Sequence, residues 1–201
     1  MNQDLFSVEY PNLLPFDGEA WYYPHFLEQK QADHYLTILL DEIAWKQEPI
    51  KIFGKEVMQP RLTAWYGDPG KIYSYSGITM IPQPWTAVLG ELKQKAESLA
   101  QSTFNSALLN LYRDGNDSMG WHRDNERELG TKPVIVSLSR GWSRMRQCRT
   151  HLHKDQLKSI ELIHGSLLIM KGDTQEKWEH RLPKSKNAKT PRINITFRKI
   201  L

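Results

Sequence analysis

The sequence predicts an α+β protein in which helices come first and a sandwich or barrel of strands follows. Three observations carry this reading. Two early segments repeat apolar residues every three or four positions, the chain after residue 100 breaks into short β-branched runs, and the terminal run RINITFR alternates strictly. From Gln29 to Trp45, residues Tyr35, Leu36, Leu39, Leu40 and Ile43 fall on one helical face. From Trp85 to Ala100, the stripe is Trp85, Val88, Leu89, Leu92, Ala96 and Leu99, and Pro84 suits a helix start. The strand candidates ALLNLYR, PVIVSLS, SIELI, SLLIM and RINITFR are separated by Gly, Asp, Asn, Lys and Pro. No repeat or long linker divides the chain, so residues 1–201 are expected to form one domain, helical over 1–100 and strand-rich over 101–201.

Composition narrows the function classes. Hydrophobic residues at 39% and charged residues at 25% suit a soluble globular protein, and no apolar run nears the length a membrane helix needs. MNQDLFSVEY has neither a basic start nor an apolar stretch, so no secretory signal and a cytoplasmic location are expected. The single cysteine, Cys148, rules out an internal disulfide and a cysteine-based zinc cluster. Any metal ligands are therefore nitrogen and oxygen. A net charge of +4 favours an anionic partner. Arg140, Arg144, Arg146 and Arg149, with Arg181, Lys184, Lys186 and Lys189, form clusters that either neutralise phosphates or make a solvated face.

Chemistry concentrates in MGWHRDNE, Met119 to Glu126. Two residues apart on an extended segment, His122 and Asp124 project to one side, so an imidazole nitrogen and a carboxylate oxygen can converge on one cation. Two histidines and a carboxylate with open positions suit non-haem Fe(II) oxygenases. For the third ligand, His25 and His34 lie far away in the helical part, His151 and His153 sit in the loop-like THLHKD, and His164 reads as a turn residue. His180, just before RINITFR, is the candidate able to return beside His122. In RINITFR itself, Ile193, Ile195 and Phe197 alternate with Arg192, Asn194, Thr196 and Arg198. The polar side faces either water or the mouth of a barrel, where two guanidinium forks can hold the ends of a small dicarboxylate.

In order along the chain, NLYRDGNDSMGWHRDNE, HGSLLIMKGDTQEKWEHRLPK and RINITFR resemble the AlkB family of Fe(II)- and 2-oxoglutarate-dependent dealkylases. PRLTAWYGDP, YSYSG and the helix after YYPHFL extend the resemblance over nearly the whole chain. It implies a double-stranded β-helix (jelly-roll) core with the N-terminal helices packed on one side, and a nucleotide-recognition role within residues 1–100. It also implies Fe(II) held by His122, Asp124 and His180. 2-Oxoglutarate would be held by Arg192 and Arg198, helped by Asn110, Tyr112, Asn194 and Thr196. Glu126 matches an acidic position near the substrate base, Tyr75 an aromatic that stacks on it, and Phe53 in IKIFGK the apolar wedge of a hairpin in duplex-repairing members.

The implied reaction is demethylation of N1-methyladenine or N3-methylcytosine with O₂ and 2-oxoglutarate, releasing formaldehyde and succinate. The methyl group lies on the pairing edge, so the partner is alkylated DNA, single-stranded or duplex with the base flipped out, or RNA. A monomer is expected, with no membrane partner. The alternatives are a hydroxylase of a substrate other than nucleic acid, since fold does not fix substrate, and a module that binds damaged bases without turnover. SRGWSRMRQCR departs from the family pattern, which has a small residue at Trp142 and an apolar or aromatic one near Arg146. Those changes are expected to reshape the nucleic-acid surface or to push a side chain toward the iron pocket.

Overall fold

In the computed structural model the described residues are 10–52, 54–71, 73–75, 78–154 and 156–201. The first hundred residues contain β1 (Glu19–Tyr23), α1 (Gln29–Glu42), β2 (Pro49–Ile52), β3 (Lys55–Met58), β4 (Leu62–Gly67), β5 (Tyr73–Tyr75), β6 (Ile78–Met80) and α2 (Ala87–Ala100). The remainder contains β7 (Ser106–Tyr112), β8 (Met119–His122), β9 (Ile135–Gly141), β10 (Arg144–Thr150), β11 (Lys158–Leu162), β12 (Leu167–Lys171), α3 (Thr174–Lys177), β13 (Trp178–Leu182) and β14 (Arg192–Arg198). Among the described residues no helix is long and apolar enough to cross a membrane.

Both expected long helices form, with different ends. α2 starts two residues later than the apolar stripe because Thr86 caps it, its hydroxyl accepting from the Leu89 amide. α1 stops at Glu42, since Ile43 turns to an extended conformation, and Ile43 still reaches the core from outside the helix. Periodicity marked the buried face except at Leu40, which is exposed at the edge of the stripe, and could not mark where the backbone leaves the helix.

The strands form a six-stranded sheet in the order β1-β12-β9-β14-β7-β4 and a four-stranded sheet in the order β11-β10-β13-β8. Pairing within both is antiparallel, giving the jelly-roll core. The first hundred residues thus supply more than helices, because β1 and β4 close the two edges of the larger sheet and cover strands that would otherwise offer unpaired backbone. Two apolar cores result. One lies between the larger sheet and the helices, joining Tyr35, Leu39, Leu89 and Leu92 to Ile193, Ile195 and Phe197. The other joins the sheets to each other through Leu108, Ile135, Cys148, Leu162, Met170 and Trp178.

β14 is central to the larger sheet and buried along its whole length, so its polar side does not face water. Ile193, Ile195 and Phe197 face the helices, and Arg192, Asn194, Thr196 and Arg198 face the space between the sheets. The arginine cluster is also different from either expectation. Arg140, Arg144 and Arg146 are buried, and only Arg149 of the four is partly open to solvent. Arg144 donates to the carbonyls of Asp114, Asp117 and Pro183, tying the turn before β8 to the end of β13.

Candidate metal and co-substrate site

β8 and β13 are neighbours in the smaller sheet, and His122 stands directly opposite His180. Their rings meet edge to face with centroids 4.2 Å apart. Asp124 follows two residues after His122, and donor atoms of His122, Asp124 and His180 all lie within 4.8 Å of one another. His151 and His153 are not part of this group. His151 pairs with Glu179 on the other face of β13, its Nδ1 3.3 Å from the carboxylate. His164 accepts from the Gly141 amide at Nδ1, as a turn residue does.

Two members of the group are held by further contacts. His122 Nδ1 lies 2.9 Å from the Gly120 carbonyl and donates to it, which leaves Nε2 with its lone pair for a cation. Asp124 takes a hydrogen bond from Arg198 Nη2, and its backbone amide donates to Gln175 Oε1 at 3.0 Å. Burial pushes His122 down to about 4 and His180 well below the usual histidine range. Both imidazoles are therefore neutral at pH 7, the state a metal ligand needs.

The opposite wall of the same cavity comes from β14 and β7, where Arg192 pairs with Tyr112 and Asn194 with Asn110. Arg192 Nη2 donates to Ser139 Oγ and to Asn194 Oδ1, Ser137 Oγ also donates to Asn194 Oδ1, and Asn194 Nδ2 donates to Thr196 Oγ1. Asn110 Oδ1 accepts from Arg61 Nε at 2.7 Å. The Arg192 guanidinium sits 5.4 Å from the Tyr112 ring centre. Its Nε is buried with no hydrogen-bond partner among the described residues. Such a group is costly unless something in the cavity accepts from it.

The structure therefore brings together His122, Asp124, His180, Asn110, Tyr112, Arg192, Asn194, Thr196 and Arg198 around one cavity. Glu126 lies just beyond, at the entry to a short 3₁₀ turn over Arg127–Leu129. The expected hairpin around Gly54 exists as β2 and β3, with Gly54 at φ +78° and Ile52 paired to Lys55, but Phe53 lies outside the described residues. Tyr75 falls on β5 opposite Ile78, and its side chain lies outside the description.

Sequence reasoning missed Arg61, Ser137, Ser139 and Gln175, whereas Arg146 was singled out as a departure able to reach the pocket. Ser137 and Ser139 were readable, because they alternate with Val136 and Leu138 in a strand. Arg61 and Gln175 carry no local signal. Trp142 does not enter this cavity, since it sits in the β9–β10 turn and is 37% exposed, whereas Arg146 does line it.

The donor set fits a divalent transition metal with open positions, and the buried polar strip with an orphaned Arg192 Nε fits a small carboxylate anion. Comparison with known proteins agrees. The profile of the 2OG-Fe(II) oxygenase superfamily matches residues 19–198. Over 188 residues the chain is 44% identical to Alpha-ketoglutarate-dependent dioxygenase alkB homolog 3 of Mus musculus, covering 89% of this chain and 65% of that protein. It is 39% identical to DNA oxidative demethylase ALKBH2 of Mus musculus, over 88% of this chain and 74% of that protein. The chain thus spans less than two thirds of the length of the first of these relatives. The solved structure of OsALKBH1 superposes with a TM-score of 0.65 at 15% identity, over 90% of this chain and 96% of that one, a likeness of fold. On the profile match and these identities, the chain belongs to the 2OG-Fe(II) oxygenase superfamily and, within it, to the AlkB family.

Proposed function

We propose that the protein oxidatively removes methyl groups from N1-methyladenine and N3-methylcytosine in DNA, and from the same bases in RNA. The cofactors are those of its superfamily, Fe(II), 2-oxoglutarate and O₂. One observation carries the reading: the His122, Asp124 and His180 donors and the Arg192, Asn194, Thr196 and Arg198 strip face each other across one cavity. The relatives named above as an alkB homolog and a DNA oxidative demethylase supply the substrate class.

In this reading His122 Nε2, Asp124 and His180 hold the iron, and Arg192 and Arg198 take the carboxylates of 2-oxoglutarate. When bound, iron with 2-oxoglutarate supplies activation of O₂, one oxygen ending in succinate and the other in the substrate's methyl group, which leaves as formaldehyde. The chain's own contribution is positional. Gly120 fixes the His122 tautomer, Arg198 orients the Asp124 carboxylate, Ser137 and Thr196 hold the amide of Asn194, and Ser139 holds Arg192 beside it. Arg61 holds Asn110 in the same way. Tyr75, Glu126 and Phe53 are proposed for the base, as stacking partner, acidic contact and wedge. The methylated base cannot pair normally, so flipping it out of a duplex costs less than flipping an intact one. We assign the activity to a monomer acting in the cytoplasm.

The test is anaerobic loading with Fe(II) and 2-oxoglutarate, then air and an oligonucleotide carrying one N1-methyladenine, offered as single strand, duplex and RNA. Mass spectrometry should show loss of one methylene. Succinate formed without that loss would keep the oxygenase and discard the nucleic-acid substrate, and neither product would discard both.

A further inference from the structure

Arg146 departs from the family pattern, and its position shows what it faces. In the β10–β13 pair, Cys148 lies opposite His180, so Arg146, two residues earlier on the same side of β10, also points between the sheets. It lines the cavity that holds His122, Asp124, His180 and Arg192, and it is 8% exposed. Its partners there are soft and neutral. Nη2 lies 3.4 Å from Met170 Sδ, and the Cys148 thiol is a second contact. Its Nε has no hydrogen-bond partner among the described residues. Sulfur is a weak acceptor, so a buried cation here lacks the anion that normally offsets its desolvation.

The rest of the lining supplies no such anion. Among the described residues of the wall the one carboxylate is Asp124, already engaged by Arg198. Arg181 also touches the lining, but its guanidinium turns to the outer side, donating to Gln147 Oε1 and lying 4.6 Å from the Trp121 ring centre. Arg146, Arg192 and Arg198 thus face the interior as three cations against one carboxylate, an excess of two positive charges before any metal enters. Burial drives Arg192 down to about 10; Tyr112 opposes this, and the charges of Arg144 and Arg146 add to it. Two arginines and one carboxylate would leave a single excess charge, so a dianion bound without metal would carry the wall to a net negative charge. With the third arginine, a dicarboxylate alone balances the wall.

We propose that Arg146 is a third guanidinium of the co-substrate pocket, donating to a carboxylate oxygen of the bound dicarboxylate and letting the pocket hold 2-oxoglutarate without metal. The proposal rests on the reading of this cavity as the 2-oxoglutarate site and is independent of the nucleic-acid substrate. It also accounts for a buried arginine at a position where the family has an apolar or aromatic residue. Arg146 determines how tightly, and in what order, the anion and the metal bind.

The test is calorimetric titration of the full-length protein with 2-oxoglutarate, once with Mn(II) in the absence of O₂ and once after chelation of metal. Wild type, Arg146→Met and Arg192→Met are compared at low and high salt, with thermal denaturation of each ligand-free protein as the folding control. Arg146→Met removes charge and keeps an apolar chain of suitable length, so it should stay folded. Wild type should bind with and without Mn(II). Arg146→Met should bind at least about tenfold more weakly with Mn(II), lose metal-free binding, and show a smaller salt dependence. In turnover the same variant should raise KM for 2-oxoglutarate more than it lowers kcat. Equal affinities for wild type and Arg146→Met, with Arg192→Met impaired, would overturn the proposal and leave the pocket assignment standing. No binding by wild type even with Mn(II) would overturn both.

Discussion

Phe197→Leu separates the two sides of β14, because odd and even positions of that strand do different work. Phe197 is fully buried, stacked near Phe104 at 6.1 Å and Trp85 at 6.5 Å between ring centres. Leucine keeps an apolar side chain but removes both ring pairs, each worth about 0.5–1.5 kcal/mol, and leaves a small void costing about 1 kcal/mol. The sum is about 2–4 kcal/mol, which for a chain of this size lowers Tm by very roughly 5–10 °C. Urea denaturation should show a lower midpoint at unchanged slope. Affinity of the folded variant for 2-oxoglutarate should stay within about twofold, since Phe197 contacts helix-side residues and not the cavity. A variant as stable as wild type but weakened in 2-oxoglutarate binding would refute the division of the strand into a structural and a binding side.

Four further outcomes follow from particular contacts. His180→Ala should abolish iron-dependent turnover, while His151→Ala, which loses only the pairing with Glu179, should keep most of it; a rate assay with matched iron decides. Gly141→Ala should destabilise by more than about 2 kcal/mol in urea melts and weaken 2-oxoglutarate binding, because at φ +87° its Cβ would stand 2.2 Å from the Pro191 carbonyl, beside Arg192. Burial alone would raise the Asp117 carboxyl, but side-chain and backbone hydrogen bonds from Arg113 hold it below the usual carboxylate range. The stability it adds is present above the ordinary aspartate pKa and lost as pH falls through the lower folded value, so wild type should lose more stability than Asp117→Asn as acid melts are taken below the ordinary aspartate pKa. Arg140→Met should raise the urea midpoint by about 1–4 kcal/mol equivalent, as it removes a fully buried guanidinium with no hydrogen-bond partner among the described residues.

The sequence told most where a residue's type and its period pointed the same way. Ile193, Ile195 and Phe197 alternate with polar residues, and that alternation is the division between helix-facing core and cavity. His122 and Asp124 share a side for the same reason, and His180 meets them because β13 pairs with β8. Long-range contact of this kind leaves no local mark, which is why Arg61, just before β4, and Gln175, in α3, brought beside Asn110 and Asp124 from distant parts of the chain, were invisible. The arginines failed in the other direction. A cluster of charge on β9 and β10 reads as surface, because buried guanidinium groups are rare, yet strand alternation sends Arg140 and Arg146 to opposite covered sides of the fold. Arg140 stands level with Ile193 and lies 5.3 Å from the Tyr35 ring centre of α1, while Arg146 stands on the side of Cys148 and His180. The same local rule, applied to the same composition, therefore predicts different consequences for them. Arg140 has an aromatic face and no hydrogen-bond partner among the described residues, so it is a cost the helix-side core carries. Arg146 opens onto the cavity proposed to receive a dianion, and on that proposal its cost is recovered when the ligand binds.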